Sequence, residues 1–481
     1  MKMKYFRPKR GERSIITGRV EGIVDCEAVE VAAWFYDFNS REAIRTMEEY
    51  GRDVVRVVVD NSKPGETTVA MVKLFPFFLR NREIVLRNIF KVESNGSVII
   101  AIESVDANVD YGASFKTLRG FSRALWRIEN LPDRSQVKQC QVTLYQYFDA
   151  GGSIPMWLVN RKVPETLAIV QDAINEFRQD DKIDNAERDE LVTLMMEGQE
   201  GQEYTDEELV ILERGKIFFH TVRDSSDLKI IESPDPLALL KTTHLDNDSL
   251  VSGYTQTTVD ASLEEAATYE YLKMSREGVR THLEKGGIEK HIRRINDHSQ
   301  FYVTSRDLIP GFGPREWRSR VIWKKDDDKI VIVYEDTKDF DNDVVRTGVL
   351  GSAQSTWVLE RMPLVQDMEQ TRVTFVSRVD IGMPLPKFVM NTLARKYAKA
   401  LSTMRQKFDK SLEIDKVRRK SLIPQIKRMP VRGDGAPLVE AQFNDLFKGR
   451  ENSEELKTGY KSASSRVKVE SSGSTAWGKT R

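Results

Sequence analysis

Apolar positions follow two rhythms along the chain, and the same succession of rhythms occurs twice. In the second half, the N-cap pattern Thr205-Asp-Glu-Glu precedes apolar steps at Leu209, Leu212 and Ile217, which predicts a helix. Short extended runs follow at 228–232 and 250–259, and 263–284 reads as helix interrupted near Ser275. Strand patterns then dominate at 300–304, 317–323, 330–334, 356–359 and 372–379, with a turn at Asp326–Asp328. A long closing helix is predicted from Met390, Leu393, Tyr397, Leu401, Met404 and Phe408, spaced by threes and fours. The first half repeats the later part of this order. Val98–Ile102 follows an Asn95-Gly96 hairpin turn, Gln141–Phe148 reads as a strand, and Val159, Val163, Leu167, Val170, Ile174 and Phe177 stripe a last helix. Pro155 suits that helix's first turn, and Pro164 is placed to kink it.

The repetition extends to residue identities. Val24-Asp25 and Ser40-Arg41-Glu42-x-x-Arg45-Thr46 recur as Val259-Asp260 and Ser275-Arg276-Glu277-x-x-Arg280-Thr281, all at a spacing of 235. Arg82-Glu83 and Arg87 match Arg315-Glu316 and Arg320 at 233. Trp126-x-x-Glu129-x-x-Pro132, Val142-Thr143, Asp149, Gly151, Pro155, Asn160 and Phe177 find partners at 231. Chance would scatter the offsets, whereas these change only in steps of two, as short loop deletions in one copy of a duplicated unit would produce.

Composition adds mainly exclusions. The 481 residues suit two or three domains, and 40% apolar content supplies real cores. Lys+Arg and Asp+Glu both number 74, so no net field favours nucleic acid or an anionic surface. The basic start of the chain lacks an apolar signal stretch, and no run approaches the length of a membrane span. Cys26 and Cys140, the two cysteines, form neither a disulfide framework nor a metal set and are expected as core residues in a reducing, cytoplasmic setting. No H-E-x-x-H, G-x-S-x-G, dinucleotide or P-loop pattern occurs in context, and all five histidines lie at or beyond His220. No catalytic residue, metal or cofactor is therefore expected.

Two stretches carry a family resemblance. Asp149-Ala-Gly-Gly-Ser-Ile-Pro-Met-Trp-Leu-Val-Asn160 closely resembles the D-P-G-G-x-I-P-x-W-L-V-N lead-in to the last helix of StAR-related lipid-transfer (START) domains. Phe75-Pro76, Arg82-Glu83, Arg87, Gly96 and Ser104 resemble the same family's strand region. The resemblance spans about two thirds of the chain. Ala150 replaces the usual proline, Glu83 the usual aspartate, and the Arg82–Arg87 spacing is one residue short. The second lead-in, Asp380-Ile-Gly-Met-Pro-Leu-Pro-Lys-Phe-Val-Met-Asn391, keeps less of the motif.

The resemblance implies an α+β fold of two helix-grip domains, each a curved antiparallel sheet gripping a long C-terminal helix. The expected bounds are 15–180 and 205–412, with an acidic linker at 181–204. The first domain lacks the leading helix that opens the second. Residues 413–481 read as a basic, polar tail or as the start of a third copy, with a helical pattern at 436–447 and a strand pattern at 465–470. The implied function is non-catalytic binding of a sterol, phospholipid or sphingolipid, and its transfer during transient membrane contact, with no nucleic-acid partner. A lipid-sensing tether and a helix-grip cyclase or hydrolase are the alternatives. Peripheral membrane association is a further expectation. Candidate cavity residues are Arg82, Arg87, Trp126, Trp157, Val163, Leu167, Val170, Arg315, Arg320, Trp357, Phe388, Leu393 and Tyr397. Trp157 and Phe388 are read first as packing anchors and Trp126 and Trp357 first as core, while each arginine is read somewhat more as an exposed strand charge than as a head-group contact.

Overall fold

The computed structural model describes residues 1–6, 15–50, 53–74, 79–152, 154, 167–197, 203–233, 235–245, 250–307, 311, 313–338, 344, 346–382 and 400–429. Contacts divide the chain into two units. One holds residues 1–364 and 369–409, and the other holds 365–368 and 410–481.

The first sheet is built from β1 (Lys2–Phe6), β2 (Ile15–Val24), β3 (Asp53–Asp60), β4 (Glu66–Lys73) and β5 (Arg82–Val92). It continues with β6 (Val98–Ser104), β7 (Leu118–Arg119), β8 (Phe121–Arg134) and β9 (Val137–Asp149). Its strand order is β1-β2-β9-β8-β6-β5-β4-β3, with the two-residue β7 pairing parallel to β5. The second sheet comprises β10 (Lys229–Ile230), β11 (Leu239–His244), β12 (Val251–Val259), β13 (Gly287–Arg294) and β14 (Ser299–Arg306). It is completed by β15 (Arg315–Asp326), β16 (Lys329–Asp336), β17 (Val349–Leu350), β18 (Ser352–Val365) and β19 (Met368–Asp380). Its order, β10-β11-β12-β19-β18-β16-β15-β14-β13 with β17 parallel to β15, is that of the first sheet with one strand added. The repeat in the letters is thus a repeat in topology.

Helices fall at matching places. In the first domain α1 (Ala28–Tyr36) and α2 (Arg41–Tyr50) follow β2, and α3 (Ile169–Glu176) follows β9. Next come α4 (Asp180–Glu197) and α5 (Asp206–Arg223), the latter capped by Thr205, whose hydroxyl accepts the Glu208 N–H. In the second domain α6 (Leu263–Tyr271) and α7 (Arg276–Glu284) follow β12, and residues 400–407 are helical. The segment Ser411–Arg428 is α8, described by itself. The expected linker is more ordered than its acidity suggests: α4 begins at Asp180, and three of its apolar residues, Ile183, Leu191 and Met195, are buried. Expectations for 155–166, 383–399 and the tail beyond 429 lie outside the described residues.

Period-two burial sorts each sheet into two faces. The inner face of the first sheet packs Val20, Val24, Ile100, Trp126, Ile128, Val142 and Leu144 against α1 and against Leu167 and Val170. Close approach is possible because β2 carries Gly18 and Gly22: a Cβ on Gly18 would stand 2.5 Å from Leu167, and one on Gly22 2.7 Å from Ile174. The second domain has a matching inner cluster, with Val321, Trp323, Ile332, Trp357, Val373, Leu401 and Met404. Its outer face is covered as well. There α5 seats Ile211, Leu212, Phe218, Phe219 and Val222 on Ile322, Val331, Val333, Val358 and Val376.

Candidate ligand-binding site

The lead-in to each closing helix is fixed by the same device. The Asp149 carboxylate accepts the Gly151 N–H at 2.9 Å, and Asp380 accepts that of Gly382 at 2.8 Å. Gly151 and Gly382 both adopt a left-handed backbone, at φ +68° and +71°, and a Cβ on either would press on a backbone carbonyl. Beneath these turns lie buried guanidinium groups. Arg82 donates to the carbonyls of Ala150 (2.5 Å) and Gly151 (3.1 Å), and Arg315 donates to those of Ile381 (2.8 Å) and Gly313 (3.1 Å). Both arginines serve as clamps on the lead-in backbone, which corrects their reading as cavity residues.

Arg87 and Arg320 are corrected differently, because both lie on the outer face. Arg320 donates to Ser299 Oγ (3.2 Å), Glu207 (3.1 Å) and Glu208 (3.0 Å), tying α5 to its sheet. Glu208 also holds Asn296 at 3.1 Å and His298 at 3.2 Å. Burial would raise the Glu208 carboxyl, but hydrogen bonds from the Thr205 N–H, His298 and Asn296 outweigh it and hold it at about 2. Arg87 is exposed and borders an open groove of about 470 Å³ lined also by Ile89, Ala101, Glu103, Leu125 and Tyr145. Strand register makes this groove the counterpart of the α5 seat, since Ile89–Ala101–Leu125–Tyr145 crosses β5, β6, β8 and β9 in one row.

The remaining candidates divide simply. Trp126 packs on Phe35 with ring centroids 4.0 Å apart, and Trp357 on Phe375 at 4.3 Å. Leu167 and Val170 are fully buried on the inner face. Trp157, Val163, Phe388, Leu393 and Tyr397 lie outside the described residues. Cys26 and Cys140 are both buried and unbridged, as their expected core role requires.

The inner faces hold polar groups that no sequence pattern announced. In the second domain Lys290, Thr304 and Trp317 stand directly opposite one another across β13, β14 and β15. Among the described residues, Trp317 Nε1 and Tyr271 Oη are buried without a hydrogen-bond partner. Lys290 makes no hydrogen bond or ion pair among the described residues, and burial, reinforced by Lys273 and Arg306, pushes its ammonium down to about 7. Lys273, by contrast, is paired with Glu270, which also accepts the Tyr334 hydroxyl at 3.0 Å. The matching row of the first domain is Arg56–Met71–Ile84. Arg56 lies over the Phe38 ring at 3.9 Å, and on that face Asn88 Oδ1 and Gln146 Oε1 are buried without partners among the described residues. Each domain therefore sets a cation at the same place on its inner face, and buried polar atoms there have no partner among the described residues, an arrangement that costs stability unless something else meets them. Sequence reasoning missed this row because β13, Gly-Ile-Glu-Lys-His-Ile-Arg-Arg, shows no alternation.

No protein-family model matches the chain, and no curated protein matches it. Solved structures do. The chain is similar to the human StarD13 (DLC2) lipid transfer and protein localization domain, at 14% identity over 44% of this chain and 100% of that one, TM-score 0.33. It is similar to human STARD10 at 15% identity over 48% and 90%, TM-score 0.34. It is also similar to the Zhui aromatase/cyclase from a Streptomyces species, at 11% identity over 34% and 94%, TM-score 0.25. Each such chain is matched nearly whole by less than half of this one. The fold itself rests on strand order and burial: two antiparallel α+β domains of one topology.

Proposed function

We propose that each domain binds an amphiphilic lipid between its sheet and closing helix without transforming it, and passes it to or from a membrane surface. The observation that carries this reading is the paired placement of Arg56 and Lys290 at matching positions of the two inner faces, which also hold buried polar atoms without partners among the described residues. An apolar wall suits a lipid body, and the cation suits a phosphate or carboxylate head. Enclosing a sterol or one acyl chain removes about 400 Å² of apolar surface from water, on the order of 10 kcal/mol before the costs of binding. The two sites differ in kind. The first surrounds its cation with Phe38, Met71 and Ile84, while the second supplies Thr304, Trp317 and an ammonium without a partner among the described residues, so the second should discriminate more sharply among head groups.

The test is lipid uptake by the full chain with Lys290→Met, using a fatty acid and a neutral sterol as probes. The expected outcome is a roughly tenfold or greater loss for the fatty acid at the second site, as for removing one charged hydrogen-bond partner, with sterol uptake little changed. Lys290 also sets a pH sign. An anion that binds the protonated amine should bind with constant affinity below pH 7, and progressively more weakly above it, as the free amine loses its proton. Equal uptake by variant and parent across pH 6 to 9 would overturn the assignment of Lys290.

A further inference from the structure

The repeat continues past the second domain into α8, and this match has a consequence for how chains meet. Both α4 and α8 are 18 residues long and begin 231 positions apart. Ile183, Asp184, Arg188, Leu191 and Met195 of α4 fall on Ile414, Asp415, Arg419, Leu422 and Ile426 of α8. In α4 these residues perform a defined task. Asp184 accepts the first two N–H groups of α7, from Arg276 at 2.7 Å and Glu277 at 2.9 Å. Asp180 meets Arg276 at 3.3 Å and Arg280 at 2.6 Å. Leu191 and Met195 join the second domain's core, where the Thr268 hydroxyl approaches Met195 Sδ at 3.5 Å. Asp25 of the first domain completes the contact by gripping the Arg276 guanidinium.

The α8 face that would do the same is bare: no residue of α8 is buried, with Leu422 40% and Ile426 68% exposed. A matching seat is bare as well. Val29 is 44% exposed and Ala33 is exposed, where their counterparts Glu264 and Thr268 under α4 are 2% and 0%. The first domain repeats the docked motif as Ser40-Arg41-Glu42, with the Ser40 hydroxyl capping α2 as Ser275 caps α7. Arg41 is exposed and makes no ion pair or hydrogen bond among the described residues.

We propose that the chain associates head to tail, α8 of one copy docking across α1 and α2 of a second copy as α4 docks across α6 and α7. Asp415 then caps α2 of the second copy, and Leu422 and Ile426 cover Val29 and Ala33. Charge favours this pairing over a repeat of the internal one. Residues 411–428 carry six basic and two acidic side chains, and residues 27–50 carry six acidic and two basic. A basic helix also suits an anionic membrane, but a membrane would not use the spacing that Ile414, Asp415, Leu422 and Ile426 share with α4. The interface is heterologous, so it extends into chains or closes into a ring according to the rotation it imposes.

Sedimentation velocity on the full chain tests this. The mass should rise with concentration in steps of 55.2 kDa. Leu422→Asp with Ile426→Asp removes one side of the contact at exposed positions, and Ala33→Arg removes the other; each variant should stay monomeric. Mixed together they retain one intact side apiece and should form a one-to-one complex. Arg41→Glu provides a second seat variant should Ala33→Arg unfold, as judged by circular dichroism. Monomers at every concentration would overturn the proposal, as would association that these variants leave intact. Loss of binding to phosphatidylserine vesicles by the α8 variant, with self-association unchanged, would overturn it in favour of a membrane role.

Discussion

At the scale of residues, the four strand arginines illustrate why a motif and its role are separate questions. Arg82 and Arg315 occupy equivalent positions and do equivalent work, each donating to a backbone carbonyl of the turn that follows β9 or β19. Their guanidinium geometry matters, because one planar fork reaches two or three acceptors that a single ammonium cannot span. Arg82→Ala should therefore cost about 3 kcal/mol, since it strands buried carbonyls, and Arg82→Lys should recover only part of it. Urea denaturation followed by tryptophan fluorescence measures both. An unchanged midpoint for Arg82→Ala would show that the turn holds without its clamp. The sequence showed that these arginines lie on strands, but not what they reach, because a carbonyl partner leaves no mark in the pattern. Trp126 and Trp357 were legible as core because apolar bulk at a buried strand position has one outcome. Arg56 and Lys290 were not legible, since a cation on a strand reads as solvent-facing until register places it opposite Met71 or Thr304.

At the scale of elements, helices were read well where their ends carry chemistry. The Thr205 cap and the break at Ser275 both fall where expected, because a hydroxyl serving an orphan N–H is a local event. Strands β3, β4, β11 and β13 were not anticipated. β3 and β13 are sheet edges without clean alternation, and all four take their place from pairing with neighbouring strands. The seat of α5 offers a sharp test of packing. Thr356 donates its hydroxyl to the Gly215 carbonyl at 3.0 Å, and a Cβ on Gly215 would collide with the branched side chain of Val333. Gly215→Ala should then cost about 1–3 kcal/mol through overpacking. Adding Val333→Ala, the residue type that Ala101 supplies at the matching place in the first sheet, should restore much of the loss. A double-mutant cycle read by thermal unfolding checks this coupling, and strict additivity of the two changes would refute the contact as its source.

At the scale of the whole molecule, duplication was legible in the sequence to within a residue or two, because offsets of 235, 233 and 231 left little room for chance. The difference between the copies was less visible. Both sheets share one strand order, yet α5 covers the outer face of the second while the first presents a groove bordered by Arg87. Their inner faces differ in polarity around an equivalent cation, so the two domains should hold different lipids or hold one lipid with different strengths. The central claim is that this fold is a container for amphiphiles, and native mass spectrometry of the intact chain tests it most directly. After incubation with mixed fatty acids, phospholipids and sterols, the spectrum should show adducts of lipid mass up to two per chain, with Lys290→Met removing an acidic one. A spectrum of bare 55.2 kDa protein, with no lipid adduct from any class, would contradict the account.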